Sequence, residues 1–143
     1  MKRIRDLIES RTEIYSVQAG DSVRRAAQEM TRRDVRAITV LDGDKLAGIL
    51  SQWDIMTKVV AEGRDPETTT VAEIMTPDPM TASPDDTYAE CLGTMLANDI
   101  QHLVVVTDEG EVKGLIAIGD LLKVDRKEQS EIIEYYEKLF QMY

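Results

Sequence analysis

Apolar side chains recur at i, i+3, i+4 and i+7 in two places, first as Val23, Ala26, Ala27 and Met30, then as Tyr88, Cys91, Leu92 and Met95. That spacing lays four side chains on one helical face and predicts two amphipathic helices looking inward. A short strand-like stretch precedes each, "EIYSV" (13–17) and "PMTA" (79–82), and an acidic residue, Asp21 or Asp86, leads into the helix as its predicted cap. After each helix an apolar run ("RAITVL", "HLVVVT") meets an Asp/Gly turn and a second run ("LAGIL", "VKGLIA"). Two runs joined by such a turn read as a hairpin. A further helix begins near Ser51 in the first case and near Ile118 in the second, so the unit reads β-α-β-β-α.

The two units are copies. Ser16 falls on Thr81, Asp21 on Asp86, Met30 on Met95 and Arg36 on Gln101 at an offset of 65, and Gly48 falls on Gly114 and Asp54 on Asp120 at 66. One residue is added in the turn between "LDGDKLAG" and "TDEGEVKG". A unit of about 55–60 residues buries only ~60% of its surface, so the copies should pack together. The expected organisation is a first repeat over 1–62, a polar linker over 63–70 within "EGRDPETTT", a second repeat over 71–124 and a C-terminal helix over 125–143. "IRDLIES" and "VAEIMTP" resemble each other, so each copy is expected to open with a helical turn. The last segment opens with an Asp-x-x-Glu capping-box pattern, Asp125 and Glu128, and puts Ile132, Ile133, Tyr136, Leu139, Phe140 and Tyr143 on one stripe. Such a stripe folds back on its own domain or pairs across a dimer, and the pattern alone suits both.

Composition narrows the function classes. The 143 residues are 43% hydrophobic with a net charge of −10, and the imbalance is confined to the second half: 12 Lys+Arg face 12 Asp+Glu in residues 1–70, and 5 face 15 in residues 71–143. An acidic chain is a poor polyanion binder, so no nucleic acid is expected as partner. Five arginines, Arg24, Arg25, Arg32, Arg33 and Arg36, leave room for a small anion, although charge runs on helices usually face water. With Cys91 the only cysteine and His102 the only histidine, neither a disulfide nor a metal site is expected. No apolar run approaches the ~20 residues of a membrane span, so a cytoplasmic protein without membrane contact is expected. Walker A, dinucleotide, H-E-x-x-H and G-x-S-x-G patterns are missing, and no catalytic residues are expected.

The stretch "GILSQWD" (48–54) stops an apolar run at Ser51 with Asp54 three positions later. A Ser N-cap with an acidic N3 residue is a capping box, which accounts for the pair without any ligand. The second copy reads "GLIAIGD" (114–120): Ala117 removes the hydroxyl, yet the Asp recurs at 120.

Two β-α-β-β-α copies, each closing on Gly-apolar-apolar-x-x-x-Asp, together with "VRAITVL", "IQHLVVV" and "IMTPDPMTASPDDT", resemble the tandem cystathionine-β-synthase (CBS) domain pair, or Bateman module, over residues 4 to about 124. The resemblance implies an α+β fold of two CBS units packed sheet to sheet about a pseudo-twofold axis, with the C-terminal helix added. It also implies a sensor that binds AMP, ADP, ATP or S-adenosylmethionine between the copies, forms a homodimer and acts in trans on an effector protein. On this resemblance Asp54, Asp120 and Ser51 bind ribose, for which a carboxylate's two acceptor oxygens suit a vicinal diol. Arg36 and His102 are the phosphate candidates, and Tyr15 and Met80 flank the adenine slot. Gln52, Trp53, Ile118 and Gly119 stand where the family often has basic residues, which argues against triphosphate selectivity. The competing reading is a dimer scaffold that keeps the pair and binds no nucleotide.

Overall fold

The computed structural model describes residues 2–11, 13–123 and 126–141. In chain order the elements are α1 (Ile4–Glu9), β1 (Ser16–Gln18), α2 (Val23–Arg33), β2 (Ala37–Asp42), β3 (Lys45–Ser51), α3 (Gln52–Ile55) continuing as a π-helical turn over Met56–Val60, α4 (Val71–Ile74), β4 (Thr76–Pro77), β5 (Thr81–Ala82), α5 (Tyr88–Asn98), β6 (His102–Val106), β7 (Val112–Ala117), α6 (Ile118–Leu122) and α7 (Arg126–Gln141).

The repeat appears in the pairing register. β1 runs parallel to β2 with Ser16 opposite Thr39, and β5 runs parallel to β6 with Thr81 opposite Val104. Both hairpins slip register at the same place, between Val40 and Leu41 and between Val105 and Val106. The caps sit one residue later than expected: Ser22 accepts the Arg25 N–H and Thr87 accepts the Glu90 N–H. The carboxylates of Asp21 and Asp86 turn back instead, accepting the N–H groups of Gln18 and Ser83, each at 2.9 Å. Both helices stop at an Asp in the left-handed region, Asp34 (φ 55°) and Asp99 (φ 51°), a conformation that Asp tolerates better than most residues.

Each strand pair has a core on one face and the other copy on its second face. Val23, Ala26, Met30, Ile38, Val40 and Leu50 form the first core; Tyr88, Leu92, Met95, Leu103, Val105 and Ile116 belong to the second. Side chains alternate along a strand, so Ala37, Thr39 and Val104, all buried and in neither core, point the other way. β2 packs against β7 there, joining the two sheets face to face.

The short opening helices are exchanged. Ile4 of α1, fully buried, lies in the second core, whereas Val71 and Ile74 of α4 lie in the first. Matching main-chain bonds hold the exchange: Val71 N–H to Asp21 O and Val23 N–H to Thr69 O on one side, Ile4 N–H to Asp86 O and Tyr88 N–H to Lys2 O on the other. α7 lies on the second copy of its own chain, with Ile132 in that core and the Tyr136 hydroxyl donating to Ala89 O at 3.1 Å. A Cβ at Gly93 would stand 3.1 Å from that hydroxyl, so glycine permits the close approach. Of the expected stripe, Ile132 is buried and Tyr136 and Leu139 are half-buried, while Ile133 (58%) and Phe140 (75%) are exposed. Ile133 lies ~100° around the helix from Ile132, too far to share its contact. The expected cap at Asp125 and the last stripe member, Tyr143, lie outside the described residues.

Candidate functional site

β3 and β7 each end on a turn that starts a helix, which fixes Asp54 and Asp120 at equivalent positions with different surroundings. Asp54 is 5% exposed: its Oδ2 accepts the Ser51 N–H at 2.9 Å and the Ser51 hydroxyl at 3.0 Å, and Lys58 Nζ lies 3.1 Å from its Oδ1. Ser51 Oγ in turn accepts the Asp54 N–H at 3.1 Å, completing the capping box. At Asp120 only half of that box remains, the Ala117 N–H donating to Oδ2 at 2.8 Å. The rest of its pairing comes from Arg11, whose Nη2 donates to the same Oδ2 at 3.1 Å while Nη1 donates to Leu115 O. The Asp120 side chain is 29% exposed.

A cavity of about 720 Å³ opens beside Asp120, walled by residues of both copies. It brings together four sequence-predicted residues, Asp120, Arg36, His102 and Tyr15; Asp54, Ser51 and Met80 are not among its lining residues. Strand pairing explains the difference. In the first copy β4 adds to the outer edge of β3, pairing Gly48 with Pro77 and Ile49 with Thr76. Gly48 allows this, since a Cβ there would stand 2.5 Å from Thr76 O. In the second copy Arg11 and residues 13–15 belong to no strand, and the Arg11 guanidinium takes the Leu115 carbonyl.

The lining mixes cations and anions: Arg11, Arg36 and Lys123 against Glu13, Asp34 and Asp120. Glu13 is already paired with Arg33, whose guanidinium carbon also lies 4.6 Å from the Tyr15 ring centroid and so holds that ring in place. Arg24, Arg25, Arg32 and Arg33 all pair with carboxylates, whereas exposed Arg36 makes no ion pair among the described residues. Burial holds the His102 imidazole below its ordinary pKa, with Asp120 pulling partly the other way. His102 is therefore neutral at pH 7 and offers a hydrogen bond rather than a charge. Cys91 lies on the buried face of α5 and its thiol is pushed up to about 12 by that burial, which removes it as a nucleophile at neutral pH. Sequence reasoning did not single out Arg11 or Lys123; neither sits in a motif, and only the folded chain brings them to Asp120.

A cavity of this size suits a small organic ligand. Its carboxylate can bind hydroxyls, its arginines an anion, and the Tyr15 and Ile14 side chains an apolar ring. Among the described residues no helix is long and apolar enough to cross a membrane, and no cluster of three or more His, Cys, Asp or Glu could hold a metal ion.

Comparison with known proteins gives a consistent family. The family model for the CBS domain matches residues 4–61 and again 71–127. CBS domain-containing protein YhcV of Bacillus subtilis is 30% identical over 110 residues, 77% of each chain. The chain spans only about a fifth to three fifths of the length of the first curated relatives it matches. Among solved structures, a putative signal-transduction protein with CBS domains from Burkholderia ambifaria superposes with a TM-score of 0.79 at 34% identity, covering 85% of this chain and 92% of that one. A CBS domain protein of Pyrobaculum aerophilum complexed with AMP superposes with a TM-score of 0.80 over 93% of this chain and 99% of that one, at 24% identity. At that identity the likeness carries the fold and not the ligand.

Proposed function

The chain belongs to the CBS-domain family, and on that premise we propose that it is a regulatory sensor module which takes an adenosyl ligand in the cleft beside Asp120. One observation carries the reading: the 720 Å³ cavity gathers a part-exposed carboxylate, cations and an aromatic ring from both repeats at one place. Asp120 receives the ribose hydroxyls, Arg36 and Arg11 face the phosphate, His102 contributes a neutral hydrogen bond, and Tyr15 borders the base. With only Lys123 as a further cation among the lining residues, one or two phosphates are favoured over three, so AMP or ADP is preferred to ATP. Asp54, Ser51 and Met80 form the equivalent position in the first copy, where binding requires the capping box to open.

The sensor acts in trans on a partner protein and catalyses nothing itself. It works as a homodimer, for which the exposed stripe of Trp53 (65%), Met56 (49%) and Val60 (71%) provides an apolar face. Native mass spectrometry of freshly purified protein, followed by calorimetry with AMP, ADP, ATP, adenosine and S-adenosylmethionine, tests all of this together. A ligand held at 100 times its Kd adds about 2.7 kcal/mol to stability, which a thermal-shift assay also detects. Absence of binding for the whole set, with an intact dimer, leaves the scaffold reading in its place.

A further inference from the structure

Resting on that reading, we infer that Arg11 is the residue by which the Asp120 cleft selects anionic over uncharged adenosyl ligands, because it occupies the ribose carboxylate until a ligand's phosphate takes it. Asp120 has two oxygens, and Oδ2 already accepts from Ala117 N–H and from Arg11, at 2.8 and 3.1 Å. Oδ1 makes no hydrogen bond among the described residues. A vicinal diol bound to both oxygens uses Oδ1 freely but competes with Arg11 at Oδ2. An uncharged nucleoside therefore leaves the guanidinium without its carboxylate, and Glu13, which lines the same cavity, is held by Arg33. A 5′-phosphate supplies the missing partner, and the planar fork that now spans Asp120 and Leu115 O suits two phosphate oxygens.

Arg11 also has room to make the exchange. Arg11 itself lies in neither helix nor strand, nor do residues 13–15 before β1, and a second cavity of about 540 Å³ is lined by Arg11, Glu13 and Ile14 as well. Arg11 thus borders two open volumes. The ion pair it carries is about one third exposed on each side, 31% and 29%, which keeps the carboxylate occupied without locking it.

The test is calorimetry on the full chain with two probes, AMP and adenosine, for wild type, Arg11→Gln and Arg11→Lys, with urea midpoints as the folding control. Wild type is expected to prefer AMP. Arg11→Gln is expected to weaken AMP about tenfold while adenosine stays level or tightens up to about threefold, so the preference collapses; Arg11→Lys retains part of it because the charge survives and the fork does not. Equal losses for both probes in both variants, or unchanged AMP affinity, overturn the inference and leave the adenosyl sensor standing. If wild type binds neither probe, this inference is overturned, while the sensor reading is decided separately by the full set of adenosyl ligands.

Discussion

Replacing each motif aspartate by asparagine separates a helix cap from a ligand site. Asp120→Asn keeps an oxygen for the Ala117 N–H and gives up the ion pair with Arg11, which is exposed by about 30% at both ends. Such pairs contribute ~0.2–1 kcal/mol, so the ligand-free protein should lose less than about 1 kcal/mol. Ribose recognition should lose ~1.5–3 kcal/mol, the worth of a hydrogen bond to a charged group, equivalent to roughly tenfold to a hundredfold in AMP affinity. Asp54→Asn acts on a carboxylate that is 5% exposed and bound by Ser51 N–H, Ser51 Oγ–H and Lys58 at once. The amide replaces one acceptor oxygen by a donor beside an ammonium, at a cost in folding of ~1.5–3 kcal/mol, while AMP affinity changes less than twofold. Urea unfolding of the ligand-free variants and calorimetry with AMP give the two readouts. The reasoning is refuted if Asp120→Asn destabilises the empty protein as much as Asp54→Asn and binds AMP as wild type does.

Three further outcomes follow from the packing and the charges. Ile4→Ala empties a fully buried site in the second core and should cost ~2–5 kcal/mol; hydrogen exchange should accelerate in α5, β6 and β7 before β2 and β3, and the reverse order would contradict the exchange of α1. Thr39 Oγ1 is buried between the sheets with no hydrogen-bond partner among the described residues, and the equivalent residue in the second copy is Val104; Thr39→Val should raise the urea-derived stability by about 1 kcal/mol, and a loss would show that the hydroxyl has a partner. His102 has a folded pKa below 6.5, so on acidification the unfolded chain takes up the proton first: its contribution is present above pH 6.5 and is lost as pH falls toward the folded value, a dependence that His102→Gln should flatten in urea midpoints measured across that window.

Much of this architecture is legible in the residues. Helical spacing marks the faces of α2 and α5, Asp/Gly turns mark both hairpins, and the offset that changes from 65 to 66 falls in the hairpin turns, just after the shared register slip. Where α1 and α4 dock is not legible, because an apolar stripe such as Ile4 and Leu7 or Val71 and Ile74 says that a core will take it and not which core. The same limit applies to the cleft. "GILSQWD" has the fuller motif, yet the open cavity lies at "GLIAIGD", since the choice depends on β4 covering the edge of β3, a pairing between backbones that leaves no side-chain signature beyond Gly48. Arg11 escaped notice for a related reason: its role comes from a contact 109 positions away in sequence.

The exchange of α1 and α4 means that neither repeat is a closed object. The half that carries Ile4 lends it to the other, and receives Val71 and Ile74 in return. A single-copy ancestor built on this plan would have had to trade its leading helix with a second molecule, and joining two genes through a stretch like residues 62–70 would turn that trade between molecules into one within a chain. The exchange has a practical consequence. Cut between Gly63 and Pro66, the chain yields two fragments, each exposing the groove that the other's first helix fills, and mixing them should rebuild the pair without a covalent link.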